Sequence, residues 1–113
     1  MGKFDEYVGK YIADYKEKIG NDLDVDLLNK VTKGLGPSIY KADAETVSGS
    51  DKSEMQRVVD NYLVKKLGLP KSDKLMDSVE AVIEKYGKSN RNKYRAIVYY
   101  MLCKHHKKES VYK

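Results

Sequence analysis

The chain has no tryptophan, one phenylalanine, one cysteine and two prolines among 113 residues. A single thiol, Cys103, excludes an internal disulfide framework and fits a reducing compartment. Two prolines leave long stretches of backbone free to form uninterrupted helices. No apolar run approaches the roughly 20 residues that a bilayer-spanning helix needs. The longest, Ala96 to Cys103, contains two tyrosines. The start, MGKFDEYVGK, carries acids where a secretory signal needs a continuous apolar segment. These absences lead us to expect a cytoplasmic protein with no membrane partner.

What is present is tyrosine and charge. Ten tyrosines stand against one phenylalanine, and 35% of residues are charged. Tyrosine packs its ring in a core and keeps its hydroxyl wet or hydrogen-bonded, so it suits thin cores and interfaces alike. The charge is unevenly placed. Residues 88–113 hold eight Lys/Arg against the single acid Glu109, a balance of +7, while the first 87 residues sum to −2. A near-neutral body with a basic terminal segment binds something anionic, or is simply a charged helix end.

The apolar periodicity is helical throughout. Phe4, Tyr7, Val8, Tyr11, Ile12, Tyr15 and Ile19 form a stripe at steps of three and four, with Gly20 as a stop. Asp24 caps a second helix that buries Leu27, Leu28 and Val31 and ends at Gly34, Gly36 and Pro37. Residues 37–50 lack sustained periodicity; one short helical turn over 42–47 and a loop at Ser48-Gly49-Ser50 are expected. A third helix spans about Asp51 to Leu67, with Met55, Val58, Val59, Tyr62, Leu63 and Leu67 inward. Ser72 caps a fourth, lined by Leu75, Met76, Val79, Val82, Ile83 and Tyr86 and closed by Gly87. The fifth is expected from about Asn90 to His106, capped by Ser89. Its stripe (Tyr94, Ile97, Val98, Met101, Leu102) is widened by Ala96, Tyr100 and Cys103, the mark of the most buried helix. The expected fold is all-α: a compact single-domain array of about five helices over residues 1–113, built around a buried C-terminal helix.

The start of that fifth helix is the sharpest anomaly. The other helices place acids near their N-termini, where the backbone carries partial positive charge. Here Lys88, Arg91, Lys93 and Arg95 crowd the same end with no acid before Glu109. Either acids from other helices neutralise them, or an external anion does. Arg91, Arg95, Tyr99 and His106 also fall near one helical ridge, where basic groups beside a ring can grip a phosphate backbone and stack a base; a plain solvated face is the alternative. The candidate anion or nucleic-acid contacts are thus Lys88, Ser89, Arg91, Lys93, Arg95 and Tyr99.

Other motifs fail on inspection. Cys103 and His106 share a face, but two ligands do not make a zinc site. Cys103 lies in the apolar arc, where a thiolate is disfavoured, so a Cys–His nucleophile pair is rejected. Lys33 to Ser38 lacks the terminal Gly-Lys-Ser/Thr of a phosphate loop, and its glycines read as helix-ending residues with positive φ. Asp22, Asp24 and Asp26 lack the glycine and glutamate of a calcium loop. We therefore expect no cofactor, no catalytic residue and no metal. The expected role is a small non-enzymatic module binding another protein, as a monomer or weak homodimer. A nucleic-acid accessory protein using the basic C-terminus is the alternative, and an enzyme a distant third.

Several segments together are familiar: KVTKGLGPSIYKAD (30–43), YLVKKLGL (62–69), YGKSNRNKYRAIVYYML (86–102) and the terminal KESVYK. They resemble a small bacterial family of unknown function, DUF2853, over essentially the whole chain. The resemblance implies one compact all-helical domain in a bacterial cytoplasm. It implies no activity, cofactor or partner, and so no functional residues.

Overall fold

Spacing, caps and stops place the elements largely where the periodicity puts them. A computed structural model describes residues 3–41, 45–47, 51–87 and 93–112. Helix α1 runs Lys3–Lys18 and α2 runs Val25–Leu35. The Asp24 carboxylate accepts the Leu27 N–H at 3.2 Å, satisfying one of the orphan donors of the first turn. Gly36 ends α2 at φ 65° and ψ −145°, a conformation reserved for glycine. Gly34 lies inside α2 without a positive φ, so only Gly36 acts as a stop there. A 3₁₀ segment follows over Gly36–Tyr40.

Helix α3 (Lys52–Val58) begins at Asp51, whose carboxylate accepts the N–H groups of Ser53 and Glu54. It passes directly into a π-helix, Val59–Val64, in which Lys65 and Leu67 bond back five residues to Asp60 and Tyr62. A plain α-helix was expected through this stretch. Val58, Val59, Tyr62 and Leu63 are all buried along this stretch. Helix α4 (Asp73–Tyr86) is capped by the Ser72 hydroxyl and stopped at Gly87 (φ 115°).

The start of the last helix differs from expectation. Helix α5 covers Arg95–His105, and Tyr94 before it is extended, with φ −64° and ψ 130°. The chain is held straight there: the Val47 N–H donates to the Lys93 carbonyl at 2.7 Å, and Thr46 and Tyr94 form an isolated antiparallel bridge. The Tyr94 N–H also donates to the Tyr86 hydroxyl at 3.2 Å. Residues 93 and 94 are thereby withheld from the helix. The expected cap, Ser89, lies outside the described residues, as do Ala42–Ala44 and Ser48–Ser50 of the expected turn and loop. In the short turn, Glu45 bonds helically to Lys41, after which Thr46 and Val47 turn extended.

Eight consecutive residues of α5, Ala96 to Cys103, are buried. The helix packs on α1, α2 and α4, so it is the axis of the core. The described residues are helical apart from turns and the single bridge, an all-α fold. No described helix is long and apolar enough to cross a membrane. Beyond α5, Lys107 takes φ 56°, the Lys108 N–H bonds back to the Cys103 carbonyl, and a 3₁₀ segment, Glu109–Tyr112, returns over α2.

Candidate functional site

Of the six residues singled out by charge, Lys88, Ser89 and Arg91 lie outside the described residues. The other three are placed inward. Lys93 is buried at 5% exposure, and burial lowers its pKa below the usual 10.5. Arg95 opens α5, where its charge opposes the helix dipole. Its Nη2 lies 2.5 Å from Oε1 of Glu54, with both side chains only about one-seventh exposed (16% and 14%). Its Nη1 donates to the Tyr99 hydroxyl at 3.3 Å. Burial works against the guanidinium, but the Tyr99 oxygen and the Glu54 carboxylate outweigh it and raise its pKa.

Glu54 sits in the first turn of α3, favourable for an acid, and also accepts from Arg57 at 3.2 Å. One carboxylate thus serves two helix ends. At Arg95 the anion that the sequence demands comes from this chain.

Tyr99 is also interior. It is 8% exposed and stacks on Tyr62 with ring centres 3.9 Å apart and planes 15° from parallel. Tyr112, from the C-terminal 3₁₀ segment, donates its hydroxyl proton to the Tyr62 oxygen at 2.9 Å. His106, on the same expected ridge, pairs with the Ser78 hydroxyl at 2.9 Å. At Tyr99 the ridge is therefore not a plain solvated face, because the Tyr62 ring already covers it. Of the expected contacts, Lys93 and Tyr99 are thus buried, and Arg95 is partly buried against Glu54.

A different cluster reaches the surface. Tyr40 is 42% exposed, one of two large apolar side chains so open among the described residues, the other being Val25. Its ring meets Tyr7 edge to face at 5.1 Å. Tyr7 meets Tyr11 at 6.3 Å, and Tyr11 meets Tyr94 at 4.9 Å. The Lys10 ammonium lies 4.4 Å from the Tyr7 ring centre, 4.8 Å from Tyr94 and 5.6 Å from Tyr11, within cation–π range of all three. It also bonds to Glu45 at 2.6 Å, and the same carboxylate oxygen accepts the Tyr11 hydroxyl at 2.9 Å. Burial opposes the charge on Lys10, but Glu45 prevails and its pKa rises.

This cluster joins α1, the segment after α2 and the strand-like residues before α5. Sequence reasoning placed Tyr7 and Tyr11 on one stripe but had no signal for Tyr40 or Glu45, which sit in aperiodic sequence. Tyr94 was expected inside the fifth helix; its extended backbone is what brings its ring to Tyr11. Among the described residues, no three His, Cys, Asp or Glu side chains gather as metal ligands would.

A family profile described as "Protein of unknown function (DUF2853)" matches residues 10–110, nearly the full length. The chain belongs to the DUF2853 family. Comparison of this DUF2853 member with curated proteins gives no match. The matched span includes both the Glu54–Arg95 pair and most of the tyrosine cluster, from Lys10 onward.

Proposed function

We propose that the protein is a non-enzymatic interaction domain whose contact surface is the tyrosine cluster around Tyr40, and that its partner is another protein. The carrying observation is Tyr40 itself, an exposed ring set edge to face on Tyr7 beside the Lys10 ammonium. Tyrosine is enriched at binding hot spots because it offers a rigid amphipathic surface at low entropic cost. Tyr7 and Tyr94 are already held by packing, so little ordering is needed on binding. The exposed Lys41 follows Tyr40 directly and adds a positive charge beside it, which favours an acidic partner segment. The protein works in this reading without cofactor or catalysis.

Nucleic acid is the second reading, supported by one placement. The basic sequence 88–93 leads directly into Tyr94, whose ring borders the same patch. Affinity capture from native lysate, with and without nuclease, separates the two. A retained protein that survives nuclease and is lost on Tyr40→Ser or Lys10→Ser supports the first reading. Retention that disappears with nuclease, with binding that falls steeply from low to physiological salt, supports the second. A retained set unchanged by either substitution removes the patch from consideration.

A further inference from the structure

A cleft of about 330 Å³ opens between α4 and the C-terminal half of α5, bordered by the residues that follow α1. That volume lies at the lower end for small-molecule sites and holds on the order of ten non-hydrogen atoms. Val82 and Met101 give it an apolar wall, while Lys85, Lys104 and His105 bring basic groups from two helices. Lys85 forms no ion pair among the described residues. The one ion pair of Lys104, to Glu109, is 3.8 Å long and about two-fifths exposed. Asp22 is the single carboxylate on the lining, and it accepts the Tyr15 hydroxyl at 2.9 Å. Two ammonium groups against one carboxylate leave the cleft positive.

Tyr100 decides the chemistry. It is 1% exposed, lines the cleft, and accepts the Asp24 N–H on its phenol oxygen at 2.8 Å. Its own proton has no acceptor among the described residues. Buried hydroxyl donors are almost always satisfied, so a donor on the wall of a basic cleft calls for an acceptor there. We propose that this cleft binds a small organic anion, a carboxylate or a phosphate monoester, whose oxygens accept from Tyr100, Lys85 and Lys104 and whose apolar part rests on Val82 and Met101. The site lies outside the tyrosine patch and stands or falls separately from it.

Backbone amide NMR of the full chain, titrated with inorganic phosphate and separately with butanoate, tests the assignment. Saturable shifts at Asp22, Lys85 and Met101 to His105 are expected in the ~10 mM range. Stronger binding of one probe identifies the headgroup. Tyr100→Phe keeps the ring and removes the donor, and should weaken binding about tenfold or more. Lys85→Met, at an exposed position, should weaken it as well and decides the matter alone if Tyr100→Phe does not fold. The proposal is overturned if neither probe gives saturable shifts, if shifts spread evenly over all surface lysines, or if the folded variants bind as the wild type does.

Discussion

At the scale of single residues, the Glu54–Arg95 pair carries a testable cost. Both groups are mostly out of water, so removing one leaves the other's charge poorly solvated. Fully buried pairs lose roughly 3–5 kcal/mol when broken; with the residual exposure here, Glu54→Ala should lose about 2–3 kcal/mol. Arg95→Met alone should cost less, because it removes a charge and keeps an apolar stem. The double variant should recover at least about 1 kcal/mol of the summed losses, read as coupling in denaturant unfolding. Additive losses would mean that the ion pair contributes nothing specific.

Lys107 is the residue-scale opposite, a position where the native side chain is the poorer choice. Its φ of 56° belongs to the turn that ends α5, where glycine is usual. A non-glycine residue in that region costs about 1–2 kcal/mol, partly offset by the greater freedom of glycine in the unfolded chain. Lys107→Gly should therefore stabilise by about 0.5–1 kcal/mol and raise the melting temperature by about 2–5 °C.

At the scale of elements, the apolar stripes were legible because burial on one face of a helix leaves a period in the sequence. All six expected core residues of the third helical stretch are buried, Met55 through Leu67. Its π register was not legible, since one extra residue per turn changes no residue type. The start of α5 was misplaced for a long-range reason. Lys93 and Tyr94 are held extended by Val47 and by the Tyr86 hydroxyl, partners far away in sequence. Ser89 has the chemistry of a cap, and local pattern alone favoured it. The source of the anion at Arg95 was open on the same ground: many acids precede it, and only the tertiary fold brings Glu54 to it. Gly9 gives the element scale its own prediction. It lies exposed in the interior of α1, and an added Cβ there meets nothing within 4 Å. Gly9→Ala should stabilise α1 by about 0.5–1 kcal/mol, seen as a higher denaturant midpoint with an unchanged slope.

At the scale of the whole molecule, tyrosine is what this core is made of, and that ties stability to alkaline pH. Burial, followed by hydrogen bonds to carboxylates, raises the pKa of Tyr11 (Glu45), Tyr15 (Asp22) and Tyr86 (Asp14) well above 10. Burial also raises Tyr62, and it pushes Tyr112 up to about 12. In the unfolded chain these phenols ionise near 10, so above that pH the unfolded state has released protons that the folded state retains. Stability is then complete below about pH 10 and falls as pH rises toward 12 and beyond. Absorbance at 295 nm reads phenol ionisation, and circular dichroism reads the helical signal, in one alkaline titration. The buried tyrosines should ionise in a steep step that coincides with loss of that helical signal. Tyr112→Phe keeps the ring and removes only the hydroxyl that bonds Tyr62, so it should leave that step in place with one phenol fewer. If all ten tyrosines titrate together near pH 10 with the helices intact, the phenols are not held by the core, and the packing of α1, α4 and the C-terminal segment around them is wrong.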